Sequence, residues 1–328
     1  MEQVPRADGP PVGECSVEQA TREHNGGDPA ARSDARGPEP IPFTVPQRLA
    51  VVDSTNRYLA RLAGDGPAGA AELPEGYAVV ADHQTEGRGR LGRSWVAPPG
   101  TAVLCSVLLK PDLGPRKRHL AAWAVALAAV RACRDTAGVE LALKWPNDLI
   151  AKSATAGEVP GPLGMRAGAQ RKVAGILSEV LAPRTPNDAG QTAGGRTTGI
   201  VVGIGINVNW PAGWPPEDAT DPDLAAIAAG ATSLNRLAGR EIDRDGLVSR
   251  LLEATGALSA MLSSPGGRRA IASQYRLSCA TIGRQVRVQL ADETVSGTAL
   301  DLDEAGCLLV STAACIRTIS AGDVVHVR

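Results

Sequence analysis

"EGRGRLGRSW", Glu86 to Trp95, interleaves three arginines with three glycines and closes on a tryptophan. Arginine captures phosphate or carboxylate with a planar, bidentate fork, and glycine lets backbone N–H groups come close to an anion. The stretch therefore reads as an anion cradle. Gly87, Gly89 and Gly92 also satisfy G-x-G-x-x-G, the spacing of a dinucleotide-binding turn. That reading fails on context, because such a turn opens a helix, whereas "RSWVAPPGT" supplies a tryptophan and two prolines and then another apolar run. A solvated hairpin tip does not account for Trp95, and RNA-binding Arg/Gly segments normally repeat.

Working outward, "GYAVVADHQ" before the cradle and "TAVLCSVLLK" after it are β-branched runs bounded by Gly and Pro, so the loop joins strand to strand. Upstream, "DSTNRYLARLAG" begins on the capping residues Asp53 and Ser54 and stops at Gly64, which predicts a short helix. Downstream, Leu120 to Thr136 has helical apolar spacing and ends at Gly138. "VELALKWPNDLIA", "KVAGILSEVL" and "TTGIVVGIGINVN" then supply three further strands. After a helix around Asp245 to Leu262, the runs "RQVRVQL", "TVSGTALDL", "GCLLV", "CIRTI" and "DVVHV" alternate apolar and polar between tight turns, the signature of a small antiparallel barrel. The fold class is α+β. A mixed sheet with helices packed on it spans 41–278, and a small β-module spans 279–328.

Residues 1–40 carry Gly, Pro, Asp, Glu and Arg with almost no large apolar side chains, so a disordered tail is expected. Two insertions rich in Gly, Ala, Pro and Thr, at about 152–170 and 182–196, read as long loops outside the core.

The 328 residues, 43% hydrophobic and 21% charged, suffice for a large domain with a proper core. A formal net charge of -1 excludes a global basic field, so the cationic site is local and its ligand a small anion. The longest apolar run, Leu120 to Val130, stops at Arg131, well short of the roughly 20 residues of a membrane span. The start of the chain has no signal-peptide pattern, and the six cysteines form no C-x-x-C pair, so reduced thiols and a cytoplasmic location are expected. Four scattered histidines argue against a His-based metal site.

Three further stretches carry chemistry. "LKWPNDLIA" exposes Lys144, Asn147 and Asp148 at a strand end turned by Pro146, a set able to hold a phosphate, a base or ribose edge and a Mg²⁺ ion. "RKVAGILSE" leads with Lys172 and carries Gly175, where a ligand can approach the backbone. "GIGINVN" offers Gly203, Gly205 and Asn207. Each is weak alone. In order, "STN", "QTEGRGRLGRSW", "KWPND", "KVAGILSE" and "GIGINVN" closely resemble the motifs of the biotin protein ligase family, and the C-terminal β-module resembles its SH3-like domain.

The resemblance implies an ATP-dependent ligase that condenses biotin with ATP to biotinyl-5'-adenylate and pyrophosphate, then transfers biotin to a lysine of a carboxyl-carrier domain of acetyl-CoA carboxylase or a related carboxylase. It implies a biotin/lipoate ligase-type catalytic domain and Mg²⁺ beside ATP. Carried over residue by residue, it places Ser54, Thr55, Asn56 and Gln84 on the polar atoms of biotin, with Arg88, Gly89, Arg90, Lys172 and Gly175 around its tail and carboxylate. Arg88, Arg90, Arg93 and Lys144 answer the charge that builds as a carboxylate attacks the α-phosphate. Trp95 packs on the adenylate, Asn147, Gly205 and Asn207 serve the nucleotide, and Asp148 is the candidate metal ligand. Catalysis is thus assigned to Arg88, Arg90, Arg93, Lys144, Asp148 and Lys172, with no covalent nucleophile among them. Asp148 or the phosphate oxygens orient the acceptor lysine. The arginine loop is expected to be mobile without ligand and to close over the adenylate.

Some members of the family carry an N-terminal winged helix-turn-helix and repress transcription. No helical periodicity precedes the catalytic motifs here, so no repressor role and no DNA partner are expected. Lipoate and octanoate ligases share the catalytic fold and are the nearest rival. A nucleic-acid-binding module is the rival from another class, disfavoured by near-neutral charge and one Phe.

Overall fold

The computed structural model describes residues 38–43, 45–64, 73–151, 170–181, 199–216 and 218–327. The expected N-terminal tail and the two expected insertions lie almost wholly outside these residues.

Seven strands form one mixed sheet: β1 (Gln47–Val52), β2 (Ala78–Gln84), β3 (Ala102–Leu109), β4 (Leu141–Lys144), β5 (Asp148–Ala151), β6 (Lys172–Val180) and β7 (Ile200–Asn207). Their order is β1-β2-β3-β7-β6-β5-β4, with β1 parallel to β2 and every other pairing antiparallel. β3 and β7 occupy the centre, and all eight residues of β3 are buried, as expected of a strand covered on both faces. "VELALKWPNDLIA", expected as one strand, is a hairpin. β4 and β5 pair Lys144 with Asp148 across Trp145-Pro146-Asn147, because Pro cannot continue the ladder.

One face of the sheet is covered by α2 (His119–Ala137), whose run of alanines lets α5 (Arg244–Ala260) pack closely against it, with α6 (Pro265–Ser278) alongside. α2 stops where Gly138 takes φ 69°, and the Gly138 amide caps Arg134 O. The other face carries α1 (Thr55–Gly64), packed over β2, β3 and β7, and beside it, among the described residues, the face is left to the arginine loop. Two short helices, α3 (Pro222–Gly230) and α4 (Leu234–Ala238), follow β7. The strap at 38–43 is pinned to α5 by Ile41 N donating to Gly256 O at 3.2 Å.

The C-terminal module has β8 (Gln285–Gln289), β9 (Thr294–Leu302), β10 (Leu308–Ser311), β11 (Ile316–Ile319) and β12 (Asp323–His326). All pairings are antiparallel in the order β11-β10-β9-β8-β12, a five-stranded sheet with β11 and β12 at its edges. It is tied to the catalytic sheet at the β4 end. Ala280 N donates to Leu143 O at 2.7 Å, Trp145 N donates to Thr281 Oγ1 at 3.0 Å, and the Trp145 indole N–H reaches Gly306 O at 2.9 Å.

Candidate active site

A cavity of about 350 Å³ lies on the α1 face of the sheet. Its walls come from the start of α1, the arginine loop, the Trp145–Asp148 turn, the glycines of β6 and β7, and the first residues of β12. Every residue assigned from sequence lines it except Asn207. Asn207 is buried and its amide donates to Thr232 O at 3.0 Å, so it holds the chain after β7 and forms no part of the cavity wall.

The arginine loop is a tight hairpin rather than the start of a helix. Arg88 pairs with Ser94, Gly89 N donates to Arg93 O at 2.6 Å, and Trp95 N donates to Gly87 O at 2.9 Å. Leu91 and Gly92 turn its tip through the left-handed region, φ 55° and 74°, where glycine carries no penalty and leucine does. The hairpin returns Trp95 to the sheet. A Cβ on Gly175 would lie 3.0 Å from the Trp95 ring, and one on Gly205 would clash with it. These glycines are therefore the floor on which the indole rests, and Lys172 Nζ stands 5.5 Å from its centroid.

One end of the cavity is a hydrogen-bonded network of uncharged side chains anchored on one carboxylate, Glu179. Gln84 Oε1 accepts from Thr55 N at 2.8 Å and from Thr55 Oγ1 at 3.0 Å, which commits the oxygen of Gln84 to α1 and leaves its NH₂ for a ligand. Asn56 is consumed by the protein. Its Nδ2 donates to Leu177 O at 3.1 Å and Glu179 Oε2 at 2.8 Å, while Oδ1 accepts from Ser106 Oγ at 2.6 Å. It sits so close over β7 that only glycine fits at position 203. Asn56 thus shapes the pocket rather than presenting free groups. Three contributors lie outside the motif reading, Ser106, Glu179 and Asp323, the last carrying no local signal because it comes from β12 of the C-terminal module. Ser106 was signalled only as the one hydroxyl in an apolar strand, and Glu179 only as the last letter of "KVAGILSE".

The other end is charged. Arg88 Nη1 meets Glu179 Oε1 at 2.8 Å, Lys172 Nζ meets Asp148 Oδ1 at 2.7 Å, and Arg93 pairs with Asp323 of β12. Arg90 and Lys144 lie deeper. Burial lowers the pKa of both, against the pull of the Asp148 and Asp323 carboxylates. Asn147 lines this end while its Nδ2 donates to Ile176 O at 3.0 Å, locking the turn to β6. Cations thus outnumber carboxylates where an anion would arrive, and they are preorganised at little further cost.

No group of three or more His, Cys, Asp or Glu able to hold a metal occurs among the described residues. Asp148 is one carboxylate flanked by cations. That set fits Mg²⁺ carried on nucleotide phosphates and touched by a single carboxylate, and does not fit a cation caged by protein alone.

Residues 49–207 match the Biotin/lipoate A/B protein ligase family and residues 281–327 match the Biotin protein ligase C terminal domain. The biotin--[acetyl-CoA-carboxylase] ligase of Mycobacterium tuberculosis is 32% identical over 85% of this chain and 88% of its own. The chain belongs to the biotin protein ligase family. The bifunctional ligase/repressor BirA of Bacillus subtilis is 31% identical over 84% of this chain and 71% of its own length. Among solved structures, the biotin protein ligase from Aquifex aeolicus in complex with biotin and ATP superposes with a TM-score of 0.61 at 24% identity, covering 87% of this chain and all of that one. That likeness is one of fold. It matches the mixed sheet and the C-terminal five-stranded module of this biotin protein ligase family member.

Proposed function

We propose that this chain joins biotin to ATP as biotinyl-5'-adenylate and passes biotin to a lysine of a carboxylase carrier domain, of acetyl-CoA carboxylase or a related enzyme. The observation that carries the reading is the meeting of two ends in one cavity. The uncharged lining of Ser54, Thr55 and Gln84 suits a polar, uncharged ring, and Arg88, Arg90, Lys144 and Lys172 line the same cavity beside the glycines of β6 and β7.

In the first step a biotin carboxylate oxygen attacks the α-phosphorus, the new O–P bond forms, and the bond to pyrophosphate breaks with its electron pair on the leaving group. Arg88 and Lys172 hold the carboxylate beside a second anion that would otherwise repel it. Arg90, Arg93 and Lys144 take the charge that moves onto the pyrophosphate. Trp95, packed on Gly205, gives the adenylate an aromatic face. Mg²⁺ carried by ATP would neutralise phosphate charge beside Asp148. No side chain has to act as a covalent nucleophile, and burial raises the thiols of Cys105 and Cys133 to a pKa of about 12. No described helix is long and apolar enough to cross a membrane, and the reading places the reaction in the cytoplasm with no DNA partner.

The test is ATP–pyrophosphate exchange with biotin, octanoate or lipoate as the only added acid. Exchange that requires biotin supports the reading. Exchange with octanoate or lipoate alone assigns the chain to the rival ligases, and no exchange with any acid removes the enzymatic reading.

A further inference from the structure

Behind the catalytic cavity lies a second one of about 220 Å³. The two share Arg90 and the turn from Trp145 to Asp148, so they meet at the charged end where the anhydride would form. The second cavity has a different character. Its floor is aromatic: Trp123 and Tyr275 stack with centroids 4.1 Å apart and planes 10° from parallel, and Trp145 completes the wall. Its lining includes two exposed residues, Ser178 of β6 and Ser320 of the C-terminal module, so it reaches solvent there.

Adenylate chemistry sets a requirement that one mouth does not meet. The activated acid has to be shielded from water, yet the acceptor amine, carried by a whole protein domain, still has to reach its carbonyl carbon. Resting on the ligase reading above, we propose that this second cavity is the channel through which the acceptor lysine side chain reaches the adenylate, entering between Ser178 and Ser320 and ending at Asp148. The apolar and aromatic part of its wall, Ala122, Trp123, Ala126 and Tyr275, suits a four-carbon stem, and the Asp148 carboxylate complements the amine.

Burial along this wall pulls the amine toward its neutral, nucleophilic form, against the pull of the Asp148 carboxylate that first draws it in. The His119 ring, which lines the same cavity, has its pKa lowered to about 4, chiefly by burial and against the pull of Asp303. In the transfer itself the amine nitrogen forms a bond to the acyl carbon and the bond from that carbon to the phosphate oxygen breaks. AMP leaves with the electron pair, and the amine proton goes to the departing phosphate.

Ser178→Trp and Ser320→Trp each narrow that entrance without touching a residue assigned to adenylation. Biotin-dependent pyrophosphate exchange and formation of biotin hydroxamate from hydroxylamine should be unchanged in both. Biotin transfer to a purified carrier domain and to n-butylamine, which copies the lysine stem without a carrier, should fall at least tenfold. Loss with the carrier but not with butylamine would mean that a docking surface had been blocked, and would overturn the channel. Unchanged transfer would overturn it as well, and so would parallel loss of exchange. If the unaltered protein shows no biotin-dependent exchange, the ligase reading fails rather than the channel.

Discussion

The indole of Trp95 occupies the space that a Cβ on Gly205 would need, so the arginine loop is docked on β7 through a missing side chain. Gly205→Ala should lift Trp95 off the sheet at an overpacking cost of about 1–3 kcal/mol. Exchange kinetics should show a KM for ATP raised roughly tenfold or more, with a smaller change for biotin. A lowered melting temperature with both KM values intact would remove Trp95 from the nucleotide side.

Arg90→Ala should lower kcat for pyrophosphate exchange by about 10²–10³, the cost of removing one preorganised charge donor, with the near-UV circular dichroism unchanged. Arg90→Lys should recover little of it, since a point charge does not replace a planar fork. Full recovery by lysine would reduce the role of Arg90 to net charge.

Thr281 is fully buried and accepts the Trp145 amide at 3.0 Å, with His326 Nε2 at 3.1 Å from the same oxygen. Thr281→Val leaves that N–H without an acceptor, a loss of about 1–3 kcal/mol. Because Trp145 begins the turn that carries Asn147 and Asp148, exchange should weaken along with urea stability. Thr281→Ser should retain both, and equal damage from serine would point to the methyl group instead.

Stability should fall on acidification below neutrality. His326 has its pKa lowered to about 4 by burial first and by the neighbouring Lys144 and Arg284 charges, and His119 is lowered to about 4 chiefly by burial. Both are neutral in the fold, so the unfolded chain binds more protons between its ordinary histidine pKa of about 6.5 and 4. Their contribution is complete above the upper value and is lost as pH falls through this window. Melting temperature against pH should show that slope, and His326→Gln should flatten it.

The loop hairpin presents Arg88 and Arg93 to solvent, with Arg93 held to β12 by Asp323. Limited trypsin cleavage at the loop should slow when biotin and ATP are added together. Cleavage at the same rate with and without them would show a loop that does not close.

Sequence alone marked most strands of the sheet, the anion cradle and the charged residues of the cavity wall other than Asp323, because these signals are local; β1 and the β4–β5 hairpin were not legible as such. Hydrophobic alternation, turn residues and clustered arginines are each readable within about ten positions. Three matters needed the tertiary structure. Asn207, the last residue of the cavity-lining strand β7, is turned away because Thr232, 25 residues on, takes its amide. Asn56 became a wall rather than a ligand group because Ser106, Leu177 and Glu179, from two distant strands, use up its hydrogen bonds. The shared wall between the two cavities exists only because β4, α2, α6 and the C-terminal module converge on Trp145 and Tyr275. A side chain's type is set by the sequence, but whether its hydrogen bonds are spent or spare depends on partners that folding brings from far along the chain.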